Sequence, residues 1–144
     1  MRVAQVMLTH RESSIKGEKT RHFFSFFIMK AEQFVRRVLY PSEDADDTSR
    51  FWATLTLNAL LEYQDRFEAI ANLIDTENVK NEYVRIIERM FSDGILSRGR
   101  LVATFALASL LQERFDVDLV SETVAVVKDR LFEWMLFELL NHVW

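Results

Sequence analysis

The chain contains no cysteine, which excludes a disulfide framework, thiolate catalysis and thiolate metal ligation. A single proline and three glycines leave too little turn material for a β architecture and point to an all-α fold. No apolar run approaches the ~20 residues that span a bilayer. The longest, Leu101 to Leu111, is interrupted by Thr104 and Ser109 and has the length of a buried core helix. The apolar start, Met1 to Leu8, is too short for a secretory signal and lacks a small-residue cleavage pattern. Basic excess is missing too: a net charge of −4 and a pI near 5.4 argue against nucleic-acid binding through a basic surface.

What is present is apolar and helical. Hydrophobic residues make up 49% of the 144, which argues against disorder and suits a single domain, residues 1–144, around one core. Residues 1–17 are expected to be irregular or to form an extra N-terminal turn. A helix is expected from about Glu18 to Tyr40, with Phe23, Phe27, Phe34 and Val38 on one stripe, widened by Phe24, Ile28, Ala31 and Val35. Pro41 ends it. Residues 41–50 read as a solvated acidic loop without calcium-loop spacing. A second helix is expected from about Ser49 to Leu73, and a third from Glu77 to Phe91. An apolar helix follows from Ser97 to about Phe115. A last helix or pair runs from Asp118 onward, with Val120, Val124, Val127, Leu131, Trp134 and Leu140 inward.

Residues Leu101 to Leu111 are apolar on nearly every face, and such a helix has to be surrounded. The expected architecture is therefore a helical bundle with a central hydrophobic helix, about 98–115, enclosed by amphipathic ones. The junction before it is unusual: Asp93-Gly94-Ile95-Leu96-Ser97-Arg98-Gly99-Arg100. Ser97 is a good N-cap. Arg98 and Arg100, however, put cations at the end of the helix dipole that favours anions. Gly99 costs about 1 kcal/mol relative to alanine within a helix. Local rules broken without compensation mark candidate functional sites, and an arginine at the mouth of an apolar helix can receive another molecule's carboxylate.

The stretch Phe91 to Phe105 resembles the first homology motif of Bcl-2-like regulators of apoptosis: an aromatic, Asp93-Gly94, a short spacer, Gly99-Arg100 and a hydrophobic helix. Similarity is good over residues 83–110, partial at 60–68 and weak elsewhere. Leu60 to Phe67 resembles the third motif, Leu-x-x-x-Gly-Asp, with Gln64 in place of its glycine and Asp65 retained. The family's Asn-Trp before Gly-Arg is Ser97-Arg98 here, the Gly-Gly before Trp144 is absent, and a membrane anchor of the family's usual kind is not expected. This degree of divergence looks like a viral Bcl-2 homologue or a divergent animal one.

The resemblance implies a Bcl-2-like fold and an inhibitor of apoptosis. Such a protein sequesters pro-apoptotic Bim-, Bak- or Bax-like partners by taking their amphipathic death-motif helix into a hydrophobic groove. Helix-in-groove recognition is the mode for which this family is a standard example. Carried onto this chain, Leu60, Tyr63, Phe67, Ile86, Met90, Val102, Ala103 and Leu107 would supply apolar pockets. Arg100 would pair with the ligand's aspartate, Gly99 would admit its backbone, and Asp93 and Ser97 would shape the start of the helix. Action in the host-cell cytoplasm, peripherally at the mitochondrial outer membrane, is implied, with a homodimer formed through the exposed groove as a further expectation. Alternatives are a pore-forming pro-apoptotic member and a helical adaptor unrelated to apoptosis.

Nothing in the sequence points to an enzyme or a cofactor. His10, His22 and His142 are badly placed to share a site. Glu138 and His142 alone make a weak metal pair, and Glu62, Asp65 and Glu68 read as a solvated face.

Overall fold

The computed structural model describes residues 30–95, 97–128 and 131. Six helices lie within them: α1, residues 30–39; α2, Asp47–Glu62; α3, Gln64–Asn72; α4, Val79–Met90; α5, Arg98–Phe115; and α6, residues 120–128. No strand occurs among the described residues, so the chain is all-α as expected. Phe23, Phe24, Phe27, Ile28, Trp134 and Leu140, expected to be inward, lie outside the described residues.

The acidic stretch after Pro41 is more than a solvated loop. Asp46 caps α2: its carboxylate accepts the Ser49 amide at 2.7 Å and the Ser49 hydroxyl at 3.2 Å. Arg37 reaches the same carboxylate at 3.0 Å and ties α1 to the cap. The Ser49 amide, above all, holds the Asp46 carboxyl below its ordinary pKa. Helix therefore begins at Asp47, inside the expected loop, and Ser49 is buried.

The single helix expected over residues 49–73 is two helices. The chain leaves helical geometry at Tyr63, φ −113° and ψ 29°, with no proline or glycine nearby to announce it. Tertiary packing supplies the reason. Trp52 and Thr56 bury the inner face of α2, whereas α3 packs Phe67, Ile70 and Ala71 against the core. Arg114 of α5 holds α3 in place through Glu68 and, at 2.9 Å, Asn72. Glu68 is thus an ion-pair partner and not a free member of a solvated face.

α5 is the central helix. It packs against α2, α3 and α4, and Leu101, Thr104, Phe105, Ala106, Leu107, Ala108, Leu111 and Gln112 are buried along it. Phe34 of α1 and Trp52 of α2 meet the Phe105 ring edge-on, with centroids 6.1 and 6.2 Å away. α4 buries Val79, Tyr83 and Ile87 at four-residue spacing. The Tyr83 hydroxyl lies 2.6 Å from Thr123 Oγ1 of α6. Thr123 gives its own proton to the Leu119 carbonyl at 2.7 Å, so Tyr83 is the donor in this buried bond. Burial pushes the Tyr83 phenol well above its ordinary pKa. Val120, Val124, Val127 and Leu131 are buried, as the sequence pattern predicts.

Candidate functional site

Phe91, completely buried, fixes the end of α4, and the chain then turns sharply. Gly94 takes φ +74°, a conformation an L side chain rarely adopts, and its amide donates to the Phe91 carbonyl at 2.9 Å. Asp93 Oδ1 accepts the Ile95 amide at 3.0 Å, closing an Asx turn. Ser97 caps α5 as expected, its Oγ accepting the Arg100 amide at 3.1 Å.

Arg100 is not bare. Its Nη1 and Nη2 donate to the two Asp93 carboxylate oxygens at 2.5 and 2.8 Å, and Nη1 also donates to the Ile95 carbonyl at 2.9 Å. This bidentate bond, followed by the Ile95 amide, pulls the Asp93 carboxyl down to about 2 and raises the guanidinium pKa in turn. The compensation for cations at the start of α5 thus comes from an aspartate seven residues earlier. Asp93 uses only the terminal edge of the guanidinium. The edge formed by Nε–H and the second Nη2 hydrogen has no partner among the described residues.

Gly99 is exposed, its φ lies outside the left-handed region, and a Cβ added to it would meet nothing within 4 Å. Neither backbone strain nor packing within the described chain calls for glycine there.

The residues expected to form a groove fall into two groups. Ile86, Met90 and Val102 are half-buried against the core, and Met90 Sδ lies 3.7 Å from the Thr104 hydroxyl, one turn from Arg100. Ala103 is half-buried on α5. On the other side, Leu60 and Phe67 come together in a cavity of about 490 Å³ with Leu61, Gln64 and Leu110. α3 and α4 each pack on α5, whose middle, Thr104 to Ala108, is buried. Tyr63 is 45% exposed beside this region, with the Arg66 guanidinium 5.6 Å from its ring.

One expected groove residue is misplaced. Leu107 is only 1% exposed and belongs to the core, because the middle of α5 is enclosed on every side. Leu110, partly buried, is the cavity-lining residue sequence reasoning missed. Its signal was spacing: it lies seven residues after Ala103, two turns on along the same face of α5. A larger cavity, about 790 Å³, was not anticipated either. It opens between the end of α1, the outer side of α2 and the C-terminal half of α5, with Tyr40, Leu57, Leu60, Gln112 and Val117 among its walls. Its walls come from distant segments, so no local motif marks it.

Among the described residues no cluster of histidine, aspartate or glutamate could hold a metal ion, and no helix is long and apolar enough to cross a membrane. No family model, no curated protein and no solved structure matches the chain.

Proposed function

We propose that this chain is a Bcl-2-like, anti-apoptotic sequestering protein that binds the amphipathic death-motif helix of pro-apoptotic partners on α5, between α3 and α4. It performs no catalysis in this reading and acts in the cytoplasm or at the mitochondrial surface. The observation that carries the reading is the start of α5. Asp93 holds Arg100 by one edge and leaves the other open to a carboxylate, beside a glycine for which the chain itself has no use. An arginine fixed in this way loses little side-chain freedom on binding, and bidentate recognition of an aspartate suits its open edge. Gly99 lets a partner helix approach the α5 backbone closely. Met90, Val102 and Ala103 lie within a turn or two of it as apolar contacts.

Calorimetry against a panel of death-motif peptides tests this directly. Binding tighter than about 10 μM, near −7 kcal/mol, is expected for at least one peptide. Failure of the whole panel to reach that affinity would overturn the reading.

A further inference from the structure

The cavity of about 790 Å³ between α1, α2 and α5 has walls of two kinds. Val38, Pro41, Ala53, Leu57, Leu60 and Val117 make much of it apolar. α5 adds a polar strip, Ser109, Gln112, Glu113 and Asp116, at three- and four-residue spacing along one face. A volume of this size, apolar with a few polar groups, is the form of a small-molecule site.

Gln112 shows what such a molecule has to bring. Its side chain lines the cavity, although the residue is only 8% exposed. The Leu119 amide donates to Oε1 at 2.8 Å, which fixes the orientation of the side-chain amide. Nε2 is then left with no acceptor among the described residues. Ser109, one turn earlier and half-buried, has no partner there either. The other two buried polar side chains of the walls are satisfied: Ser49 bonds Asp46, and Thr56 bonds the Trp52 carbonyl. A donor largely withdrawn from water and lacking an acceptor is costly, so a ligand that supplies one is favoured. Charge narrows the class further. Arg37 is paired with Asp46 and Asp118 with Arg36, which leaves Arg50 against Glu113 and Asp116. This surplus of negative charge, together with the negative end of the α5 dipole, opposes an anionic head group.

We infer that the cavity binds an uncharged, largely apolar small molecule through an oxygen acceptor, held by the Gln112 amide and the Ser109 hydroxyl. The site is separate from the start of α5, and the inference does not depend on peptide binding.

Fluorescence titration of the full chain with prodan, an uncharged naphthyl ketone whose emission moves to the blue in apolar surroundings, tests it. Saturable, blue-shifted binding is expected. The prodan analogue with its ketone reduced to a methylene, added as a competitor, should bind about 10-fold more weakly than prodan. A purely apolar site would prefer that analogue. Ala53→Trp and Ser109→Trp fill the cavity from opposite walls at half-buried positions. Each should weaken prodan binding by about 10-fold or more, in variants whose circular dichroism shows an intact helical fold. Dodecanoate, an apolar chain with an anionic head, should fail to displace the probe. Absence of saturable binding overturns the inference, and so does binding that survives both tryptophans. Equal or tighter binding of the analogue without the ketone, or displacement by dodecanoate, equally overturns it; neither of these two arms requires a variant to fold.

Discussion

At its C-terminal end α5 stops on Asp116 in the left-handed conformation, φ 52°, without the glycine that usually occupies such a position. At its N-terminal end it starts on Arg98-Gly99-Arg100, against both dipole and propensity. The difference lies in where each irregularity finds its compensation. Aspartate tolerates the left-handed region better than most side chains, and polar side chains on either side of it bond groups within the chain. Gln112 accepts the buried Leu119 amide at 2.8 Å, and Asp118 accepts the Val120 amide at 3.1 Å and the Arg36 and Tyr40 side chains at 3.5 and 3.4 Å. At the other end Asp93 and Ser97 satisfy part of the disorderly start, yet Gly99 has no internal reason and Arg100 keeps an open edge. An irregularity the chain resolves by itself is architecture. One it leaves at the surface is a place for a partner.

Substitution at the open end gives the largest expected effect. Arg100→Ala should weaken death-motif peptide binding by about 30-fold or more, since it removes the cation that faces the ligand carboxylate. Its denaturation midpoint should change little. Equal loss of folding stability and affinity would place Arg100 with the closed end as a structural residue.

The closed end should respond in the opposite way. Gln112→Leu keeps the side-chain volume but leaves the buried Leu119 amide without an acceptor, at a cost of about 1–3 kcal/mol in unfolding free energy. Peptide affinity should hold. Chemical denaturation and calorimetry on the same variant separate the two readouts, and a loss of affinity without loss of stability would erase the contrast between the ends.

The sequence made the central helix legible because Leu101 to Leu111 has no polar face, and Ser97 legible because capping is local chemistry. What it hid is nonlocal. The break at Tyr63 carries no proline or glycine and follows from Arg114 drawing Glu68 and Asn72 onto α5. The burial of Leu107 depends on helices arriving from every side. The Asp93–Arg100 pair spans seven residues across a turn, so an arginine that reads as bare is held, and a helix start that reads as uncompensated is compensated by an earlier residue. The Asp46 cap was obscured by the acidic residues around it.

Gly99→Ala sharpens the comparison with a smaller, crossed effect. Alanine raises helix propensity by up to about 1 kcal/mol, less in a first turn, and its methyl meets nothing within the chain. Thermal stability should therefore rise slightly while peptide affinity falls, because the methyl intrudes where the partner backbone would lie. A variant that gains stability and keeps full affinity would show that no backbone approaches there.

The smallest effect concerns how Arg100 is held, and its sign is fixed by Asp93. The folded carboxyl sits at about 2, below its unfolded value of about 3.9, so the fold favours the ionised form. The pair's contribution is then complete above about pH 4 and fades as pH falls toward 2. It should be modest at any pH, because the groups are partly exposed and solvent screens them. Asp93→Asn removes the charge and keeps the shape, so the stability difference between the two proteins isolates the pair. Asp46, also depressed, titrates in both and cancels. Denaturant unfolding at stepwise lower pH should show that difference shrinking through this window. A difference constant from neutral pH to about 2 would mean that the Asp93 charge does not hold Arg100, and that its open edge is set by the Ile95 carbonyl and the cap at Ser97 alone.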